Sequence, residues 1–215
     1  MPRPSQNTDQ RLIEVALGMM KTSGLSRINL REVAKKAGVN LGMFHYHFKS
    51  KEVFARRVLQ DTYEKFFREF TLETSGDGES LEKLRAALVT LSRFVRDNRR
   101  MVLGIFHDVL NKDRVAIDFV KTNVPRHGMV VIELVRRCQG EGSLRKMSLP
   151  SIMPMLLGTC VFPLIMVAML EHLEVKRLKF IPLAAVKLAV ASDLAIGSRV
   201  DLVLGSLAPR KGGRG

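Results

Sequence analysis

Tryptophan is absent from this 215-residue chain, and tyrosine and cysteine occur only twice each. So few aromatic residues beside abundant Leu, Val, Ala and Met favour packed helices over sheets, which draw on aromatic and β-branched side chains. Two cysteines, Cys138 and Cys160, cannot make a disulfide framework or a zinc site, and their apolar settings predict buried free thiols. There is no Gly-x-Gly-x-x-Gly or P-loop pattern, no metal-ligand spacing and no nucleophile–base constellation. Neither an enzyme nor a bound cofactor or metal is therefore expected. Residues 1–10 are polar and lack the apolar core of a signal peptide, which points to the cytoplasm. Charge is missing from Leu149 to Leu170, a run long enough to span a bilayer. Pro150, Pro154 and Pro163 make a lone spanning helix the lesser reading, and a helix buried in a bundle gives the same signal.

What is present is basic charge and helical periodicity. The formal net charge is +14, which calls for an acidic partner such as nucleic acid or an anionic membrane surface. The first 60 residues hold 11 Lys/Arg against 4 Asp/Glu and so carry half of that excess. Leu12, Ala16, Leu17 and Met20 recur at helical spacing over about 8–23, with Gly24 as a stop. A second helix is expected over 30–37, where Asn29 is an N-cap and Glu32 completes a capping-box-like pair. A third is expected over 41–47, and a fourth from about Ser50 that carries Phe54, Tyr63, Phe66, Phe67 and Phe70. The polar stretch 73–80, ETSGDGES, is the best linker candidate. Beyond it, helical patterns cover about 81–97, 99–110, 113–121, 124–139, 151–172 and 183–206.

Gly38-Val39-Asn40 between the second and third helices is the turn that a helix-turn-helix needs, because glycine takes a left-handed conformation without a Cβ clash. Val33, Val39, Phe44 and Phe48 can share a core with Leu12 and Ala16, while Asn40 caps the third helix. The third helix then offers Leu41, Met43, His45, Tyr46 and His47 to a major groove about 12 Å wide. Lys49 and Lys51 follow at once, placed for phosphates, and Arg3 lies in an arm that could also reach them.

Residues 28–52, INLREVAKKAGVNLGMFHYHFKSKE, preceded by Gly24-Leu25, resemble the DNA-binding segment of the TetR family of transcriptional regulators. The resemblance rests on the Ala-Gly-Val turn, the glycine at position 42 and the ending His-Phe-x-Ser-Lys-Glu, and covers about a quarter of the chain. The sequence departs from the family pattern at Asn29, where Thr or Ser is usual, and at His45, where Tyr is usual. It implies an all-α fold with a three-helix DNA-binding domain at 1–52, a larger helical ligand-binding and dimerisation domain at 53–208, and a basic disordered tail at 209–215. The DNA contacts it implies, together with the residue reading, are Asn29, Asn40, Leu41, Met43, His45, Tyr46, His47, Lys49 and Lys51. It further implies a homodimer built from the last two long helices. Small residues of the final helix, among them Ala184, Ala185, Ala189 and Gly197, suit close helix approach.

A ligand pocket implied by the family would lie between the middle helices. Its candidate lining is Phe66, Phe70, Phe94, Met101, Phe106, His107, Met129, Met155, Cys160 and Met166, though Met and Phe at such spacing also build ordinary core. His107 beside Asp108 looks catalytic only on paper, because neighbours on a helix do not face each other. The function expected is a repressor that binds a pseudo-palindromic double-stranded operator and is released by an apolar small molecule. The alternatives are a membrane-associated protein using 149–170, or a DNA binder without a ligand.

Overall fold

A computed structural model describes residues 7–23 and 28–209. Gly24, the arm holding Arg3 and the tail beyond Pro209 lie outside the described residues. The described chain is all-helical apart from one small hairpin. In order it forms α1 (Asn7–Ser23), α2 (Leu30–Lys36), α3 (Leu41–His47), α4 (Lys51–Thr74), α5 (Ser80–Asp97), α6 (Arg99–Leu110) and α7 (Arg114–Gly140). There follow α8 (Leu149–Cys160), α9 (Phe162–His172), β1 (Arg177–Leu178), β2 (Ile181–Pro182), α10 (Leu183–Ala191) and α11 (Asp193–Ser206).

Two compact units emerge, Met1–Lys65 with Arg100–Asn123, and Phe66–Arg99 with Val124–Gly215. The helices α4 and α7 each run through a unit boundary without interruption. In the N-terminal unit, α1 packs on α2 and α3 over Leu12, Ala16, Met20, Val33, Ala34, Phe44 and Phe48, all buried. In the C-terminal unit, α11 packs on α5 and α8, and α9 on α8 and α10. Its core holds Leu84, Leu88, Ile152, Leu156, Leu164, Ile196 and Val200.

Four expectations about elements are corrected. The patterns at 113–121 and 124–139 are a single helix, α7, with Pro125 inside it. Pro125 is exposed and removes one helical rung, and the turn before it is held from outside. The buried Asn123 side chain exchanges hydrogen bonds with the Gln60 amide at 3.1 and 3.2 Å, and the Tyr63 hydroxyl donates to the Asn123 carbonyl at 2.7 Å. The apolar stretch 151–172 is two helices bent by 44° at Val161, where Pro163 in the first turn of α9 interrupts the ladder. No single described helix is long and apolar enough to cross a membrane; only that bent pair passes by length and composition. The stretch 183–206 breaks at Ser192, which takes an extended conformation and accepts a hydrogen bond from the Ala195 amide at 3.2 Å as N-cap of α11. The supposed linker 73–80 is a short turn from α4 to α5 inside the C-terminal unit. The β1–β2 hairpin, paired Leu178 with Ile181, was not legible in the pattern because each strand has only two residues.

Candidate nucleic-acid interface

The turn between α2 and α3 forms as its residues dictate. Gly38 has φ +66°, and a side chain there would be strained whatever the space around it. Arg11 of α1 closes the turn by donating from Nη2 to the Ala37 carbonyl at 2.8 Å. Asn40 caps α3 by accepting from the Gly42 amide, and Asn29 caps α2 by accepting from the Arg31 amide at 2.9 Å. The capping-box role read for Glu32 gives way to an ion pair one turn on, with Lys36 at 2.9 Å.

One face of α3 is locked inward. Phe44 is fully buried and meets Phe54 edge-on at 4.9 Å between ring centroids, and Phe48 meets Phe54 at 4.7 Å. Three rings thereby tie the recognition helix to the first turn of α4. That turn is capped by Ser50, whose hydroxyl accepts from the Val53 amide at 3.2 Å. A hydrogen bond with Ser50 also holds the Glu52 carboxyl below its ordinary pKa.

The opposite face is open. Tyr46 is 72% exposed, and His45, Lys49 and Lys51 are exposed with it. Leu41 and Met43 are half-buried, so each shows part of its side chain, and Asn29 and Asn40 are exposed at the two caps. His47 is half-buried, and its Nε2 is sealed from solvent with no hydrogen-bond partner among the described residues. The nine residues read as DNA contacts thus include seven exposed or partly exposed side chains along α3 and just after it. Arg31 and Lys35 on α2 are exposed as well, a placement that a basic residue on a short helix does not signal in sequence.

The residues read as a ligand pocket are divided between the two units, with Met101, Phe106 and His107 in the first and the other seven in the second. Phe66, Phe70 and Phe94 do come together in the C-terminal unit: Phe66 stacks on Phe94 at 4.4 Å, and the His127 ring, not anticipated from sequence, lies edge-on 5.6 Å from Phe66 and 6.2 Å from Phe70. Cys160 is buried on α8, and Met101 is buried in the N-terminal unit. Phe106, His107, Met129, Met155 and Met166 are exposed. The His107 ring does reach Asp108, at 3.2 Å, against the expectation from helix geometry. A groove of about 370 Å³ lies within the N-terminal unit between α4 and α7, lined by Val53, Gln60, Val115, Phe119 and Thr122 among others, and by none of the ten candidates.

A capped pair of short helices around a glycine turn, one face bolted by phenylalanines and the other open beside lysines, defines a helix-turn-helix DNA-binding protein. Residues 12–58 match the model of bacterial regulatory proteins, tetR family. The HTH-type transcriptional repressor KstR2 of Mycolicibacterium smegmatis is 27% identical over 146 residues, which are 66% of this chain and 71% of that one. The regulator AcrR of Shigella flexneri is 35% identical over 109 residues, covering 48% of this chain and 50% of that one. The fold is shared with a transcriptional regulator from Saccharomonospora viridis solved in complex with choline, at TM-score 0.72 and 16% identity over 94% of this chain and 97% of that one. Residues 12–58 thus carry the DNA-binding segment of the tetR family, a family of transcriptional regulators rather than enzymes.

Proposed function

We propose that this regulator is a cytoplasmic homodimeric repressor that places two copies of α3 in successive major grooves of a pseudo-palindromic operator and is released by a small apolar ligand. In this reading residues 1–52 bind DNA and 53–208 bind the ligand and the second copy. The observation that carries it is the division of α3 into a phenylalanine-locked face and an open face holding His45 and Tyr46. One such short helix reads too few bases for a specific site, so two are needed. Asn29, Asn40, Leu41, Met43, His45, Tyr46, His47, Lys49 and Lys51 are the proposed contacts. Lys51→Ala is expected to weaken all sequences alike and to lower the slope of log affinity against log salt by about 1. Tyr46→Ala should instead change which bases are preferred. Selection of bound fragments from a random pool tests the whole: inverted repeats are expected, and single half-sites would contradict the dimer.

Support for the second copy comes from α10. Its nine residues carry one charge, Lys187, and none of the nine is buried. Leu188 on α10, Leu194 and Leu202 on α11, and Phe162 and Met169 on α9 are exposed beside it. A helix this apolar that packs on α9 and α11 yet keeps every residue at least partly open is a face for another chain. Leu188→Glu combined with Leu194→Glu is expected to convert a dimer of twice 24.1 kDa to monomer in solution. Operator affinity should fall by roughly tenfold or more with it. A double variant that keeps the dimer mass would place the interface elsewhere.

Ligand control has the uninterrupted α4 as its support, since it begins just after the recognition helix and carries Phe66 and Phe70 in its second half. A ligand that favours a state in which the two α3 helices miss their spacing of about 34 Å releases the operator. A tenfold loss of DNA affinity needs about 1.4 kcal/mol of preference for that state.

A further inference from the structure

Arg199 of α11 is a half-buried cation with one edge of its guanidinium sealed from solvent and no carboxylate on it among the described residues. Its Nη1 donates to the Val190 carbonyl at 2.6 Å, while Nε and Nη2 are sealed from solvent with no partner among the described residues. Those two nitrogens form one edge of the guanidinium, the edge whose parallel N–H groups match the two oxygens of a carboxylate. The described chain uses the same edge in that way three times, once in Arg96 on its neighbour Asp97 at 2.8 and 3.3 Å. Arg85 holds Asp201 through Nε and Nη2 at 2.6 and 3.0 Å, and Arg99 holds Glu171 at 2.8 and 2.7 Å.

Of the carboxylates on the helices packed with α11, Glu82 of α5 is exposed, Asp97 of α5 binds Arg96, and the others are committed elsewhere. Helices α8 and α10 have none, and the three on α9 and α11 serve other cations: Glu171 binds Arg99 and Lys187, Asp193 binds Arg93 and Arg96, and Asp201 binds Arg85. The Cys160 thiol on α8 interacts with Arg199 but supplies no charge: burial pushes its pKa up to about 11, with Arg199 opposing only in part. Burial also lowers the pKa of Arg199. An unpaired buried charge is costly, and such an edge is retained at a cost unless something binds it.

We propose that Arg199 anchors the carboxylate of the effector, an apolar carboxylic acid bound among α8, α10 and α11 of the C-terminal unit. This rests on the ligand-control reading above and names the chemistry of the ligand. The body of the ligand is apolar because α8 carries no charge and the one charge of α10, Lys187, is tied to Glu171.

The test uses the full-length protein with butyrate, octanoate, decanoate, benzoate and phenylacetate, each beside its methyl ester and the matching primary alcohol. Thermal shift and calorimetry at pH 7 should show binding of at least one acid and a tenfold or greater preference for it over its ester and alcohol. Arg199→Met, which removes the unpaired charge, should melt no lower than the parent protein and should lose the acid's thermal shift. If Arg199→Met does not fold, Arg199→Lys decides: it keeps the charge but lacks the fork, and should bind the acid at least tenfold more weakly. The proposal is overturned if no acid binds, if an ester binds as well as its acid, or if either variant keeps the parent affinity. It is also overturned if Arg199→Met melts well below the parent or loses the dimer, since Arg199 would then serve the fold or the interface. A neutral compound that releases DNA equally from parent and Arg199→Met would remove Arg199 from the effector site and leave ligand control standing.

Discussion

Replacing Phe44 by alanine is expected to cost the N-terminal unit roughly 3–5 kcal/mol, the usual loss when a buried aromatic ring is deleted from a packed core. Phe44 is fully buried and is the ring through which α3 meets both Phe48 and Phe54. Whole domains are stable by only about 5–15 kcal/mol, so the loss should remove most of the structure around α3. Operator binding should disappear with it although Phe44 touches no DNA. The contrast is His45→Ala, one residue on and exposed. That change should move stability by no more than about 0.5 kcal/mol and act on DNA alone. Thermal unfolding followed by circular dichroism, beside operator titration, separates the two. Equal melting of the parent and Phe44→Ala would mean that the three rings do not hold the recognition helix.

Glu171→Gln is expected to destabilise the C-terminal unit by on the order of 3 kcal/mol at neutral pH. The Glu171 side chain is 6% exposed and takes the Arg99 guanidinium at 2.7 and 2.8 Å and the Lys187 ammonium at 2.7 Å. Burial works against its charge, but the bonds from Arg99 and Lys187 outweigh it and hold the carboxyl at about 2. Glutamine keeps the shape and leaves two cations facing each other without an anion. The sign of the pH dependence follows from the lowered value. The stabilisation is fully present above the ordinary glutamate pKa of about 4.3 and is lost as pH falls through about 2. The stability gap between parent and variant should therefore be constant near neutrality and close on acidification below about pH 4. A gap that widens toward acid would show that the pair contributes nothing through Glu171.

The helix-turn-helix was legible because every signal for it is local. Asn40, Gly38 and the phenylalanines at 44 and 48 each state their own role within a few residues, and α3 spans the 41–47 expected of it. The long helices were less legible where a distant residue decides the outcome. Pro125 reads as a break, yet α7 continues because Gln60 and Tyr63, 63 and 60 residues away in sequence, grip Asn123 just before it. Ser192-Asp193 did carry a local signal, an N-cap followed by an acidic first turn, which the count of small residues concealed.

The candidate ligand residues show the same divide. Phe66, Phe70 and Phe94 meet, whereas Met129, Met155 and Met166 stand exposed. Periodicity finds the apolar face of a helix but is silent about whether that face meets the core, a ligand or a second copy. Composition and local motif alone determined the helical class, the basic charge and the recognition helix, because charge and short-range capping act within a turn or two. Only the tertiary structure decided which apolar faces stay open and that one edge of Arg199 is sealed without an anion among the described residues. Those outcomes depend on what packs from across the chain, and hydrophobic burial has no direction of its own to write into the sequence.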